Sequence, residues 1–506
     1  MRVESRYDVV VVGGGGSGLA AAASAAEGGA SVLVLEKQTQ LGGTTGIAVG
    51  SFTACRTRMQ RRAGIQDDLE AHVEDAGRFA APQIEARNNQ ALRRYFLGQA
   101  AETLEWLTGM GLRFQGPNPE PPNRVPRMHN VVPGAKAYIA ALQGRLQRHG
   151  GVALCDASVE ELLRDDGRVT GVAARVAGRV HRFHAERGVV LAAGDYTSSP
   201  ALIARYKGER FAGIEGINPH MHGDGHVLAE QAGAQLVNMD VTYGPEIRFV
   251  APPGRTFQQL LPSRGPLAGL VGRLAPLAPQ PVVSAMLRRL LVTWQHPEKA
   301  LFADGAILVN ARGERFCDEN LSPDREIAIA RQPHRVCYIL LDHALSIRYS
   351  GWPHFISTAP RIAYAYVQDY LKLRPDVAVD GPTLQVVARP CRLPLRGLRA
   401  SVEACNHERR ASGALPLLQG SRWVLLGPAK AYFTTTEGGA AIDRECRVLD
   451  RDGRPIPGLY AVGQNGLGGM ILWGHGLHIA WAITSGRLVG RRLASGPRGG
   501  PGSGDP

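Results

Sequence analysis

The chain has 506 residues, 44% of them hydrophobic and 20% charged, which fits a soluble globular protein of two or three domains with an extensive core. Its net charge is +13, but the basic residues, nearly all arginine, are spread along the chain without interleaved aromatics. That argues against nucleic-acid binding and leaves acidic substrates or anionic headgroups as partners for the charge. The seven cysteines form no CxxC pair, against zinc or iron–sulfur ligation and a secreted disulfide scaffold. The first apolar run begins near residue 7, which leaves no room for a signal peptide. No uninterrupted apolar stretch reaches about 18 residues, so the expectation is a cytoplasmic protein.

Residues 7–36, YDVVVVGGGGSGLAAAASAAEGGASVLVLE, open the chain with strand, glycine turn, helix and strand. Gly13-x-Gly15-x-x-Gly18 has the spacing of a dinucleotide loop. Gly13 permits the sharp turn, Gly15 lets backbone N–H groups reach a pyrophosphate, and Gly18 lets the helix lie close on the sheet. Gly16 and Ser17 begin that helix, whose positive end meets the phosphates. Glu36, with Lys37 beside it, ends the second run. Its carboxylate can accept both hydrogen bonds of a ribose diol and repels a 2′-phosphate. The ligand is therefore FAD or NAD rather than NADP.

Further along, residues 68–115 read as helical, with Leu92, Phe96, Ala100, Leu104 and Leu107 at helical spacing. A proline-rich loop follows at 116–126. A helix at 134–149 precedes a strand at 152–155. Two strands at 160–164 and 169–175 flank a tight turn. Another apolar run, 189–192, ends at Ala193-Gly194-Asp195. Residues 251–282 look like an irregular insertion. The amphipathic stretch 283–294 is expected to pack on the protein body, with a membrane-surface role as the alternative. Strands and helices alternate from 301 to 400. Residues 421–495 return to strand, glycine loop and helix, before a glycine- and proline-rich tail.

Later motifs narrow the dinucleotide reading. They are Leu41-Gly42-Gly43-Thr44-Thr45-Gly46, Gly223-Asp224-Gly225, Gly313-Glu314-Arg315-Phe316 with Asp318-Glu319, Gly438-Gly439, and Pro455–Gly463 before the last helix. In this order they resemble the fumarate reductase/succinate dehydrogenase flavoprotein family and its close branch of 3-ketosteroid Δ1-dehydrogenases. The resemblance implies an α/β fold with an α+β cap: a Rossmann-like FAD-binding domain in two sequence segments, with an inserted cap domain. The expected bounds are 1–245 for the first segment and 246–415 for the cap, including an insertion at 251–300. The second segment is expected at 416–495 and a tail at 496–506. Substrate would lie where cap and flavin meet. The resemblance assigns the cofactor to Gly13, Gly15, Gly16, Ser17, Gly18, Glu36, Lys37, Gly43, Thr44, Thr45, Val49, Gly50, Val159, Ala193, Gly194, Asp224, Gly463 and Gln464. It also gives Leu477, His478 and Ile479 the task of presenting a helix N-terminus to flavin N1 and C2=O. The segment GGTTG lacks the histidine that tethers FAD in succinate dehydrogenases, so non-covalent FAD is expected.

The family's substrate residues are largely replaced. Thr434-Thr435-Thr436 stands where a histidine is expected, Trp473 where an arginine is, and Pro323 where the proton-donor arginine is, with Arg325 two residues away. Relative to the ketosteroid branch, Leu472 and Asp324 replace two tyrosines, while Tyr243-Gly244-Pro245 and Gly476 are retained. A dicarboxylate clamp is therefore not evident. The expectation is a CH–CH dehydrogenase or reductase acting beside a carbonyl, on an apolar or cyclic ketone or enone. Ile471, Leu472 and Trp473 would supply the apolar surface. Candidates for proton transfer are His475, Asp324, Arg325 and Tyr243, with the Gly476 N–H as carbonyl polariser. Asp324 has a second reading, as a helix N-cap. His220, His222, Asp224 and His226 mimic a metal cluster, but they coincide with the GDG turn, and no metal is expected. The other readings are a flavin monooxygenase, against which Gly463-Gln464 argues, and a non-catalytic FAD-binding protein peripheral to a membrane. A small-molecule substrate is expected. The electron partner is unassigned.

Overall fold

A computed structural model describes residues 4–252, 254, 285, 288–293, 295–359 and 363–496. Most of the expected insertion at 251–300, part of the amphipathic stretch 283–294, and the tail from 497 lie outside these residues.

The apolar runs read from the sequence become the parallel centre of the first sheet. Arg6–Val12 pairs in parallel with Val32–Leu35 on one side and with Arg179–Leu191 on the other. Val152–Leu154 extends the sheet beyond Val32–Leu35, and Pro455–Ala461 extends it beyond Arg179–Leu191, both parallel. These strands are valine- and leucine-rich because both faces are buried; Val9, Val10, Val11, Leu33 and Val34 are fully buried. An antiparallel hairpin, Ala157–Asp165 and Arg168–Val176, is attached through Arg179–Leu191. The second chain segment thus enters the same sheet as the first.

Helix Gln90–Gly109 buries Leu92, Phe96, Ala100, Leu104 and Leu107, the face expected from their spacing. The last helix, Leu477–Ser495, lies against the first, Gly16–Glu27. The first presents Ser17, Ala20, Ala21, Ser24 and Ala25; the last presents Gly486 and Gly490. A Cβ at Gly486 would overlap the Ser17 carbonyl oxygen, and one at Gly490 would overlap that of Ala21. Ser24 Oγ donates to the Arg487 carbonyl across this contact (2.9 Å).

A second sheet is organised on Trp423–Phe433. That strand pairs antiparallel with Cys337–Leu341, Glu246–Phe249 and Ala378–Gly381, and parallel with Glu215–Gly216. It has its own hydrophobic core, including Phe302, Ile339, Leu340, Leu425 and Phe433. The expected bounds of 246 and 415 differ from this sheet at both ends. Glu215–Gly216 and Trp423–Phe433 pair within it, and the chain rejoins the first sheet only at Arg447–Leu449. The difference arises because Trp423–Phe433 is a long apolar strand, which by sequence alone fits either core. Of 283–294, Leu291 and Val292 are buried in this second core, as expected of a helix packed on the protein body. Among the described residues, no helix is long and apolar enough to cross a membrane.

Replacing Gly486 by Val should separate the first and last helices. Overpacking of this kind costs about 1–3 kcal/mol. The midpoint of thermal unfolding should fall; an unchanged midpoint would contradict the close approach.

Candidate active site

Four parallel strands end at one place, and the residues that follow them line a single cleft of about 1030 Å³. Gly13 follows Val12, Glu36 follows Leu35, Ala192–Gly194 follow Leu191, and Gln464 comes shortly after Ala461. This is the carboxyl end of the sheet, where open α/β sheets bind ligands.

The nucleotide end has the expected parts. Gly13 has φ +107°, and a Cβ there would overlap the Ala192 carbonyl. A Cβ at Gly18 would overlap the Gly13 carbonyl, so Gly18 serves packing. At Gly15 the nearest atom to a Cβ is 3.8 Å away, so protein packing alone does not require a glycine there. Gly15 is the N-cap of the first helix and supplies no side-chain cap, which leaves helix N–H groups for an anion in the cleft. Glu36 is buried, and its two oxygens accept from Gly14 N–H (2.7 Å) and Gln38 N–H (2.9 Å). Each carboxylate oxygen retains accepting capacity for a ribose hydroxyl. Lys37 and Asp224 both line the cleft and are paired with each other at 2.6 Å.

Gly16, Ser17, Gly43, Thr44, Thr45, Val49, Gly50, Val159, Ala193 and Gly194 all line the cleft. Thr44 Oγ1 accepts from Asn218 Nδ2 (3.0 Å). Asn465 ties the two segments together: its Oδ1 accepts from Ala193 N–H (2.6 Å), and its Nδ2 donates to the Gly194 carbonyl (2.9 Å). Gly463 sits behind the lining against Ser17, with its N–H on Ser485 Oγ (3.0 Å). The Gln464 amide donates to Thr435 Oγ1 (2.5 Å) and to the Thr436 carbonyl (2.7 Å).

At the far end, Gly476 has φ +81° and is the uncapped N-cap of the last helix. A Cβ there would press on Ser51 and Thr53, so glycine keeps the backbone close to that strand. Gly476, His478 and Ile479 line the cleft; Leu477 does not. Leu477 is buried in the core, and its N–H is taken by the Gly474 carbonyl (3.2 Å), which removes it from the expected flavin-facing set.

His475 projects its side chain into the cleft. Glu120 Oε1 accepts both its backbone N–H (2.7 Å) and its Nδ1 (2.6 Å). Burial pulls the imidazole pKa down, but the hydrogen bond and charge of Glu120, with the charge of Glu246, raise it above the usual 6.5 against the opposing charge of Arg248. Tyr243 stands edge-on to Trp473, ring centroids 5.6 Å apart. Burial, then the charge of Glu246, pushes its hydroxyl up to about 12, so the phenol is a proton-bearing donor at neutral pH.

Asp324 and Arg325 are not brought to the cleft. Asp324 is exposed in the first turn of helix Asp324–Ala330, where Pro323 is the N-cap, and pairs with Arg210 at 3.2 Å. Arg325 is buried on Glu326, the Glu319 carbonyl and the face of Phe302. Ile471 and Leu472 are core residues, and only Trp473 of that apolar trio reaches the cleft. His226 is buried edge-on to Tyr196 and bonded to the Gly438 carbonyl (3.1 Å), so it supports the turn.

Several groups escaped the sequence reading. Arg248 lines the cleft, bonded to Glu246 (2.8 Å) and Thr434 (3.1 Å). Glu437, fully buried, accepts from His478 (2.8 Å) and from Leu472 N–H (3.1 Å). Glu437 stands just before the flagged Gly438-Gly439. Glu120 lies in the proline-rich loop, with no local pattern to mark it.

This dinucleotide cleft, shared by two chain segments, is that of an FAD flavoprotein. The chain matches the FAD binding domain family over residues 8–249 and 282–473 and belongs to it. It is 27% identical over 505 residues to the NADH:fumarate oxidoreductase of Klebsiella pneumoniae, covering 97% of this chain but only 48% of that protein. The fold is similar to an open-conformation flavocytochrome c3 fumarate reductase, with TM-score 0.72 and 23% identity, covering 97% of this chain and 78% of that one. It is also similar to the 3-ketosteroid Δ1-dehydrogenase of Sterolibacterium denitrificans, with TM-score 0.64 and 19% identity, covering 97% of this chain and 100% of that one. FAD is the cofactor, and the open Gly15 and the two uncapped helix ends fit it.

Two predictions follow the geometry. Acid precipitation should leave all FAD in the supernatant, since Gly42–Gly46 offers no histidine; flavin retained on the protein would contradict this. A raised folded pKa at His475 adds stability that is complete below the unfolded value of about 6.5 and lost as pH climbs through the folded value. The stability gap between wild type and Glu120→Gln should therefore be widest below that pH and narrow above it. A gap that grows with pH would contradict the pairing.

Proposed function

We propose that the chain is an FAD-dependent oxidoreductase that desaturates or reduces a carbon–carbon bond next to a carbonyl, on an uncharged, ring-bearing ketone or enone. Bound FAD supplies the two-electron hydride acceptor or donor. The remaining needs fall to the protein: a proton-transfer group, a carbonyl polariser and a wall that orients the substrate.

His475 is the proton-transfer group. With Nδ1 engaged by Glu120, its Nε2 is left to serve the cleft. In the oxidative direction a hydride leaves one carbon, and the proton on the neighbouring carbon, α to the carbonyl, passes to Nε2. In the reductive direction Nε2–H gives that proton back. The Gly476 N–H, at a helix start, polarises the carbonyl oxygen. Tyr243 and Trp473 form an aromatic wall for a flat ring. The Tyr243 hydroxyl adds a donor.

The observation that carries the neutral-substrate reading is charge matching. Three basic side chains at this end of the cleft already face carboxylates. Arg248 has Glu246, His475 has Glu120, and His478 has Glu437. Binding a dicarboxylate would add two negative charges beside Glu246, Glu120 and Glu437, in a partly buried place where unmatched charge is costly. This supports a substrate unlike fumarate or succinate.

The test is anaerobic reduction and reoxidation of the bound flavin by a panel of cyclic enones, their saturated ketones, fumarate and succinate. The cyclic ketones or enones should change the flavin spectrum, and the dicarboxylates should not. A response to fumarate alone would overturn the reading. His475→Ala should keep the FAD and lose about 10²–10⁴-fold in turnover, the usual worth of a positioned proton-transfer group; full turnover would remove His475 from the mechanism.

A further inference from the structure

The cleft's reacting end lies close under a basic surface that the chemistry above does not use. Strand Ser51–Thr53 borders that end: Thr53 Oγ1 donates to the His475 carbonyl (2.7 Å), and Thr53 N–H donates to the Gly476 carbonyl (3.4 Å). Three residues on, the chain emerges at Arg56 and runs into the short helix Arg58–Arg62. Arg56, Arg58, Arg61 and Arg62 are all exposed. Three residues of extended chain span at most about 11 Å, so Arg56 is within that distance of Thr53.

The fold holds these arginines in place. Thr57 and Gln60 make a capping box, with Gln60 buried beneath the helix. Arg61 Nη1 donates to the Arg56 carbonyl (2.7 Å). Nearby carboxylates neutralise little of the charge. Glu105 meets only Arg58, at 3.4 Å and in the open, where such a pair contributes little. Asp67 is buried on Arg127, and Asp68 caps the following helix. The helix shows almost no apolar surface: Met59 is half-buried and Gln60 is buried.

We propose that Arg56, Arg58, Arg61 and Arg62 form the docking surface for an acidic one-electron carrier protein, which exchanges electrons with the FAD through the strand Ser51–Thr53. The proposal rests on the reading that the reactive end of the cofactor lies at Gly476, but not on the identity of the substrate. Oxidising one CH–CH bond releases two electrons and two protons. Two carrier molecules accept one electron each, and the protons leave to solvent; reduction runs the same balance in reverse. Opposite charge steers such an encounter and orients it over the cleft. A membrane surface fits less well, because the patch lacks the apolar side chains that insert between headgroups.

The test uses the holoenzyme, flavodoxin as the acidic carrier, and phosphatidylserine vesicles as the competing surface. Mixing photoreduced flavodoxin with holoenzyme should reduce the bound FAD at a rate that falls steeply with salt, and calorimetry should detect the complex at low salt. The triple variant Arg56→Gln, Arg61→Gln, Arg62→Gln should slow this exchange about tenfold or more and flatten its salt dependence. Its FAD content and its reduction by dithionite should be unchanged. Equal exchange rates and equal salt dependence in variant and wild type would overturn the proposal. So would loss of vesicle binding in the variant with flavodoxin exchange intact. Should the triple variant lose FAD, Arg62→Glu alone is read by the same two outcomes. Because flavin reduction by the carrier needs no organic substrate, failure here is separate from failure of the substrate panel.

Discussion

Everything in this molecule depends on how closely the first and last helices approach. Gly16–Glu27 and Leu477–Ser495 are more than 400 residues apart in sequence, yet backbone meets backbone at Ser17 with Gly486 and Ala21 with Gly490. Only glycine, alanine and serine permit that spacing. The contact sets two uncapped helix starts, at Gly15 and Gly476, on one cleft. Each start directs N–H groups and a positive dipole end toward negative charge. In the function we propose, one would serve the pyrophosphate and the other the charge that accumulates at the far end of a reduced flavin. Dinucleotide binding and chemistry are thus joined by packing of small residues rather than by any single polar contact.

The second sheet adds residues to the far end of the cleft. Its central strand Trp423–Phe433 runs directly into Thr434–Thr436, and its edge strand Glu246–Phe249 carries Glu246 and Arg248. The cap sheet therefore supplies cleft residues through the same strands that stabilise its own core. Arg248 is placed against Glu246 and His475 against Glu120, which helps keep a half-buried polar site satisfied without a bound anion.

Legibility from sequence followed the range of each interaction. Gly18 and Glu36 act on neighbours within some twenty residues, in a motif whose spacing is itself the mechanism, and they stand where that spacing puts them. The helical stripe Leu92–Leu107 is likewise local. Glu120 reaching His475, or Glu437 reaching His478, joins segments that only the tertiary fold brings together; nothing near Glu120 marks it, and the glycine pair beside Glu437 marks the turn but not the partner. Asp324 and Arg325 show the opposite failure. A position matched to a motif promised a role, but a neighbouring glutamate, a backbone carbonyl and an aromatic face take up Arg325 instead. Ile471 and Leu472 were expected to form a substrate surface with Trp473 because they stand in place of charged residues, yet core packing turns both away from the cleft.

In the function we propose, a neutral carbonyl compound lies between His475 and the start of the last helix. The most direct measurement is a crystal structure of the FAD-loaded protein with a cyclic enone. The enone oxygen should lie within hydrogen-bond distance of the Gly476 N–H, with its ring against Tyr243 and Trp473 and His475 Nε2 facing the carbon α to the carbonyl. An enone bound with its oxygen on Arg248 and His475 turned away would contradict it.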